Sequence, residues 1–387
     1  MIPYGKHHID KNDINAVINV LKSKHLTQGP LINEFEKKIA KYVGAKYCVA
    51  VSSCSAGLHI AAIVSGIKKN KKLLTSPITF ASTANSSIFC GGDVVFSDID
   101  KSTANLSPEE LIKTIKKNKV HAISPVHFAG LPCDMEKIKK ISNKTGAFIY
   151  EDAAHAFGAR YKNNKKVGSC CYSDMTVFSF HPVKSIATGE GGAITTNNKK
   201  IYEKLKILRS HGIEKEKKNF INNKIKSRAT QPWYYEMQGL GYNYRITDIQ
   251  CSLGISQLKK INKFLKKRKQ IAKNYDQAFN NLKNCTLLHK GMRERSSNHL
   301  YILLINFRKL KKTRSFIMKK FLALGIITQV HYIPVFNHPY YKNKISYKKK
   351  CPNSISYYNS ALSIPLYYDL SKRQQEYVIK TVKEIIG

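Results

Sequence analysis

Phe148-Ile149-Tyr150-Glu151-Asp152-Ala153-Ala154-His155 is an apolar run that ends in two carboxylates. A second apolar run, Met175–Phe180, leads through His181-Pro182-Val183 to Lys184, which stands 32 residues beyond Asp152. In an open α/β sheet, ligands bind outside the carboxyl ends of the strands, and Asp152 and Lys184 each lie just past such an end. Gly189, Gly191 and Gly192 flank the lysine where the backbone must turn tightly, a setting that puts an amine in a cleft instead of bulk water. Desolvation there lowers the pKa of the amine and makes it nucleophilic toward carbonyls.

Outward from this pair, residues 10–200 alternate helix-period and strand-like segments, the pattern of a mostly parallel sheet covered by helices. The strand-like runs are Tyr47–Val51, Leu73–Leu74, Val94–Phe96, Ala122–Val126, Ala147–Tyr150 and Met175–Phe180. Ile14, Val17, Ile18 and Leu21 follow the stripe of an amphipathic helix, and Phe35, Ile39 and Val43 repeat it before Gly44. Ser107-Pro108-Glu109-Glu110 predicts a capping box with proline at the first helical position. Glu214–Lys226 carries no periodicity and reads as an exposed excursion. A long pattern from Thr247 to Leu282 (Ile249, Leu253, Leu258, Ile261, Leu265) predicts one or two extended helices. Beyond it come a strand at His299–Phe307, a helix near Ser315–Leu324, a short strand at Ile327–His331 and a final helix from about Ser371. The expected organisation is a large α/β domain over 1–250 and a smaller α+β domain over 251–387.

A buried Asp facing a reactive Lys pairs with a cation, and the protonated ring nitrogen of pyridoxal phosphate is the cation such an arrangement serves. The phosphate needs a cradle. Ser52-Ser53-Cys54-Ser55-Ala56-Gly57 follows a strand and opens a helix, where free N–H groups and the helix dipole favour a dianion. Ser76-Pro77-Ile78-Thr79-Phe80 follows the next strand and brings Phe80 to the same edge, able to stack on a pyridine ring. Each feature alone reads as something plainer: a helix cap, a surface lysine, an ordinary turn, a core aromatic. Their order along one parallel-sheet pattern is what joins them.

The chain has 387 residues and a formal net charge of +41. Disorder is excluded by 42% hydrophobic residues, and the longest apolar runs fall far short of a membrane span. The polar start Met1–Asp13 lacks the apolar region of a signal peptide, so a soluble cytoplasmic protein is expected. Nine cysteines without a C-x-x-C pair imply neither a disulfide framework nor a metal cluster. The lysines fall in short groups throughout (Lys68–Lys69, Lys139–Lys140, Lys266–Lys267, Lys348–Lys350) and form no basic arm or nucleic-acid motif, so they read as solvated faces; a basic nucleic-acid-binding protein is the alternative outside enzymology.

Leu26-Thr27-Gln28-Gly29-Pro30, Glu151-Asp152-Ala153-Ala154-His155-Ala156, Phe178-Ser179-Phe180-His181-Pro182-Val183-Lys184, Gly189-Glu190-Gly191-Gly192-Ala193 and Gly241-Tyr242-Asn243-Tyr244-Arg245 closely resemble, in that order, the DegT/DnrJ-type sugar aminotransferases. The likeness covers nearly the whole chain. It implies a fold-type-I pyridoxal 5'-phosphate transferase with a mostly parallel central sheet and a smaller C-terminal α+β domain. By the same resemblance Lys184 bonds covalently to the cofactor and Asp152 holds the pyridinium. His155 stands where many relatives have Gln near the phenolic oxygen, Ser179 binds phosphate, and Asn243 crosses a homodimer interface to the partner's phosphate, so that two subunits share each site. Thr27, Gln28, His331 and Tyr332 fall at positions expected to line the sugar-nucleotide pocket, with packing or loop roles as the plainer alternative. Relatives commonly have Asn-Gly-Thr where this chain has Ser52-Ser53-Cys54, so the hydroxyl contact to phosphate passes to Ser53 or Ser55. Lys184 itself argues for transamination over the dehydration run by a branch with His in its place. Trp233-Tyr234-Tyr235-Glu236-Met237-Gln238 resembles most the branch that aminates a UDP-linked 4-keto-6-deoxy-N-acetylhexosamine for pseudaminic acid. L-glutamate is then the expected donor and pyridoxamine phosphate the intermediate, with an aminotransferase for a different nucleotide-linked keto sugar as the alternative.

Overall fold

The computed structural model describes residues 1–221, 231–342 and 351–387. Seven strands, β1 (Tyr47–Val51), β2 (Lys72–Thr75), β3 (Asp93–Phe96), β4 (Ala122–Ser124), β5 (Phe148–Asp152), β6 (Met175–Ser179) and β7 (Gly192–Thr196), form one sheet in the order β1-β7-β6-β5-β4-β2-β3. The β2–β3, β2–β4, β4–β5 and β5–β6 pairs are parallel, and β7 runs antiparallel to both neighbours, β1 and β6. Consequently β1 to β6 all point one way, and the first residue of β7 lies at their carboxyl edge.

Helices α1 (Lys11–Leu21), α2 (Pro30–Val43), α3 (Cys54–Val64), α4 (Ala81–Phe89), α5 (Pro108–Lys117), α6 (Met135–Thr145), α7 (Lys199–Arg209) and α8 (Asp248–Lys259) accompany this sheet. One core, with Phe35, Ile39, Ile149, Phe157 and Phe178, packs on one face; another, with Val49, Leu58, Tyr150, Met175 and Val177, packs on the other. Neighbouring residues of β5 thus go to opposite cores, which is why its sequence is apolar without alternation. A ribbon of β8 (Ile213–Glu214) and β9 (Glu236–Met237) follows α7.

The remainder holds α9 (Ile261–Ala278), an antiparallel sheet of β10 (Cys285–Leu287), β11 (Tyr301–Ile305) and β12 (Ala361–Ile364), and helices α10 (Arg314–Ala323), α11 (Pro339–Lys342), α12 (Pro352–Ser360) and α13 (Lys372–Ile386). Tyr275, Phe279, Tyr301, Phe321, Val378 and Val382 build its core, which Ile2 joins from the chain start. α9 passes from the first core, where Ile261 and Phe264 sit, to this one, where Ile271 and Tyr275 sit. A junction core of Ile78, Phe128, Leu300 and Ile302 ties the two halves. No helix among the described residues is long and apolar enough to cross a membrane.

Four expectations change. The helix carrying Ile14, Ile18 and Leu21 forms, but these three are 50%, 39% and 57% exposed. Its inward side carries Asp13 instead, fully buried and held by Lys260 (2.6 Å) and Gln257 (2.7 Å). Ser107 caps α5, but the reciprocal half of a capping box is absent because Glu110 turns to Lys113. Ile327–His331 is not a strand: its extended backbone gains only one isolated bridge, Gln329 to Ser363, before it enters the cavity described below. Gly192–Thr196 forms a seventh strand that periodicity does not predict, its small and hydroxyl-bearing residues giving no long apolar run. Residues 222–226 of the Glu214–Lys226 excursion, and Lys348–Lys350, lie outside the described residues.

The start of α2 is capped from a distant helix. Asp248, 1% exposed at the head of α8, accepts from Gly29 N (2.7 Å) and Leu31 N (3.0 Å), N–H groups that no residue of α2 can satisfy. An Asp248→Ala chain should lose about 2 kcal/mol of stability, read as a lowered midpoint in urea with the slope unchanged.

Candidate active site

The strand directions decide what meets. Ser53 follows β1, Thr79 and Phe80 follow β2, Asp152 ends β5, Ser179 ends β6 and Gly192 begins β7, so all lie along one edge of the sheet. A cavity of about 550 Å³ opens there. Ser53, Cys54, Ser55, Phe80, Asp152, His155, Ser179 and Lys184 line it, and His331 and Tyr332 close it from the C-terminal half. Gly189 takes φ +82°, the left-handed turn that the glycine-rich run suggested.

Lys184 is half-buried, and its amine stands 3.5 Å from Nε2 of His299. Burial draws its pKa down to about 8, against the opposing pull of Cys54 and Asp152 and with help from the Arg268 charge. Asp152, 4% exposed, accepts from Thr83 Oγ1 at 2.5 Å through one oxygen and from Ala154 N at 3.0 Å through the other. Thr83 in turn meets Thr79 at 2.7 Å, so the carboxylate is held in one orientation by buried hydroxyls. The adjacent Glu151 points to the opposite face of β5. Burial opposes its charge, but His127, Tyr161, Ser173 and Thr176 surround it with hydrogen bonds and hold its pKa below the usual range. Of the two carboxylates that end the run, one is structural and one faces the cavity.

His155 bonds Tyr332 (Nε2 to OH, 3.0 Å) and lies 4.3 Å, centroid to centroid, from His299. Burial first, and then the charge on Lys184, keeps the His155 pKa well below its ordinary value. His331 is drawn down to about 3 for the same reasons. The cavity wall is therefore built of neutral imidazoles.

Three expected residues are not on this cavity in the single chain. Thr27 and Gln28 are exposed, with Thr27 bridged to Thr247 and the loop tethered by Asp248; Asn243 is exposed and bridged to Ser210. Sequence reasoning missed Tyr4, Thr83 and His299, each brought in from far along the chain with no local motif to mark it.

Two features test the fit of a flat aromatic aldehyde bearing a phosphate. A Cβ at Gly192 would come within 2.8 Å of Cys54 N and Ser53 C, so only glycine lets the start of α3 lie across the sheet edge. There the first N–H groups of an 11-residue helix, capped by Ser53 on Ala56 N (3.1 Å), have no acceptor within the helix. Nδ1 of His155 and of His299, both buried, lack a hydrogen-bond partner among the described residues. A helix start with free N–H groups, a cavity-facing carboxylate and orphaned polar atoms around one amine fit such a group.

The model of the DegT/DnrJ/EryC1/StrS aminotransferase family matches residues 7–383. The chain belongs to this family. It is accordingly an aminotransferase, and its sheet and helices are those of a fold-type-I transferase. Among relatives of this family, the spore coat polysaccharide biosynthesis protein SpsC of Bacillus subtilis is 38% identical, over 100% of this chain and 97% of its own. A Campylobacter jejuni protein named UDP-4-amino-4,6-dideoxy-N-acetyl-beta-L-altrosamine transaminase is 37% identical, over 100% and 98%. Solved structures of this family agree in fold. Helicobacter pylori PseC, an aminotransferase in the biosynthesis of pseudoaminic acid, superposes with a TM-score of 0.89 at 31% identity, over 100% of this chain and 99% of its own. The PLP-form of the putative sugar aminotransferase Spr1654 from Streptococcus pneumoniae gives 0.88 at 26%, over 99% and 98%.

Proposed function

We propose that this chain moves an amino group from L-glutamate to a UDP-linked 4-keto-6-deoxy-N-acetylhexosamine in the cytoplasm, giving UDP-4-amino-4,6-dideoxy-N-acetyl-beta-L-altrosamine for pseudaminic acid biosynthesis, with pyridoxal 5'-phosphate as cofactor. The observation that carries the reading is one half-buried lysine, titrating near 8, that shares a cavity with Asp152 and the start of α3. When bound, the cofactor supplies an aldehyde for amines and a ring that delocalises the electron pair left by deprotonation.

The residues of the chain supply the rest. Lys184 would hold the cofactor covalently, and its amine, when free, would take the proton from the donor's α-carbon. In the second half-reaction it runs the same transfer in reverse at C4 of the sugar. Asp152 holds a proton at the ring nitrogen. The N–H groups of Cys54 and Ser55, with the hydroxyls of Ser53, Ser55 and Ser179, bind the phosphate. Phe80 would lie against the ring and His155 near its phenolic oxygen, and His331 and Tyr332 would line the sugar side of the cavity. Neutral histidines suit that duty, since they hydrogen-bond hydroxyls without trapping carboxylates.

The reading includes a homodimer with shared sites, in which Asn243, Thr27 and Gln28 serve the partner's cavity. The exposed apolar residues Ile14, Ile18 and Leu21 of α1, and Trp233, Tyr235, Met237 and Leu240 near Asn243, support it, because a monomer gains nothing from showing them to water. It also divides the chain into a cofactor-binding domain, 1–250, and a smaller one, 251–387. SpsC, as similar to this chain as the altrosamine transaminase, favours a second reading with a different nucleotide-linked keto sugar.

The purified protein should carry a visible absorption band that L-glutamate bleaches and a UDP-linked 4-keto sugar restores. A colourless protein that pyridoxal phosphate leaves unchanged sinks the reading. Restoration by a dTDP-linked sugar alone moves it to the second one.

A further inference from the structure

Arg268, on α9, is 2% exposed, and among the described residues it forms no ion pair with a carboxylate. Its guanidinium bonds backbone carbonyls: one Nη reaches Leu366 O at 3.0 Å and His299 O at 3.4 Å, and the other reaches Val183 O at 3.4 Å. A buried charge without a counter-charge is costly, and a neutral donor would serve a purely mechanical staple at lower cost. Two of the three carbonyls adjoin the residues that meet in the cavity. Val183 precedes Lys184, and His299 carries the ring that stands 3.5 Å from the Lys184 amine.

We propose that Arg268 is a positioning residue for the transamination: its guanidinium ties together the two segments that carry Lys184 and His299, and it is the fixed positive charge behind the amine. This rests on the role given to Lys184 above. The groups that face the amine are Cys54 and Asp152, which favour its charged form, Arg268, which disfavours it, and the rings of His155, His181, His299 and His331. Burial holds all four rings toward neutrality first. Burial also lowers the Arg268 pKa, but only to about 10, so at pH 7 it keeps its proton. A lysine in the same place would sit closer to losing its own.

The test is competitive acetylation of the full chain, stripped of cofactor, over a range of pH, with the modification at residue 184 read by mass spectrometry. The wild-type midpoint is expected at about 8. R268Q keeps a donor for the carbonyls and loses the charge, so its midpoint should rise, by roughly half a pH unit. R268K keeps a positive charge at neutral pH without the fork, so kcat falls about tenfold with KM for glutamate unchanged. Equal midpoints in wild type and R268Q overturn the proposal. Should R268Q fail to fold, R268K decides, and an unchanged kcat there overturns it. Because the labelling needs no bound cofactor, failure of the transaminase reading would appear in the bleaching experiment and in the kcat measurement, and not in the labelling midpoints.

Discussion

A Lys184→Ala chain is expected to turn over at least about ten-thousand-fold more slowly than the wild type. On the proposed reading one amine both anchors the cofactor and moves the proton in each half-reaction, so its removal would stop both, and no other side chain stands ready. His299 and His155 lie nearest, but their pKa values are held well below the ordinary range by burial, with neighbouring charges adding to it. Steady-state product formation at saturating glutamate and sugar checks this. Turnover within tenfold of wild type would remove Lys184 from the mechanism. The same position also bears on stability. Folding lowers the lysine's pKa from 10.5 to about 8. The unfolded chain therefore binds more protons than the folded one between those values, and stability rises with pH across that window. Below pH 8 the full penalty of an incompletely hydrated amine applies, at most about 3 kcal/mol. A cofactor-free Lys184→Met chain should be the more stable protein at pH 7 and lose that advantage above pH 10.5, as followed by denaturant melts at several pH values.

Asp152→Asn should lower kcat by about a hundred- to a thousand-fold and weaken retention of the cofactor through dialysis. Asparagine keeps the size of the side chain and one oxygen, which can still accept from Ala154 N, while its amide NH2 then faces Thr83 Oγ1, which must turn to accept; the charge is lost and one of the two bonds reverses. Glu190, which also lines the cavity, is exposed and cannot substitute for a carboxylate at the end of β5. Fold is checked by circular dichroism, rate at saturating cofactor, and retention by absorbance after dialysis. A variant within fivefold of wild type on both would mean that Asp152 is only a turn residue satisfying Ala154.

Strand ends were legible in the chain because the sheet is covered on both faces. Runs such as Tyr47–Val51 and Met175–Phe180 had to be largely apolar on both faces, and the polar residue that follows each marks the edge. Asp152 and Lys184 could therefore be placed together from sequence. β7 was not legible: flanked on both sides by antiparallel partners, it is specified by its ladders and tolerates Gly, Ala and Thr. Periodicity found α1 but could not tell which apolar stripe faces the core, since a buried Asp13 pinned by Lys260 reverses the usual side. Thr83, His299 and Arg268 had no local signature. Each acquires meaning only from a contact across 69 residues or more, and Arg268 is one more cation in a lysine-rich helix.

The reversed direction of β7 has a further meaning for the reactive amine. Because β6 arrives at the ligand edge and β7 departs from it, with Ser179 paired to Gly192, residues 180–191 form a span whose two abutments are locked in the same ladder. The lysine rides mid-span and not at a free tip. Lengthening or shortening that arch by one residue therefore displaces the amine itself, while similar edits in loops at the opposite end of the strands leave it where it was. Evolution and engineering alike have room to reshape the rest of the molecule's outline, but this arch must keep its length.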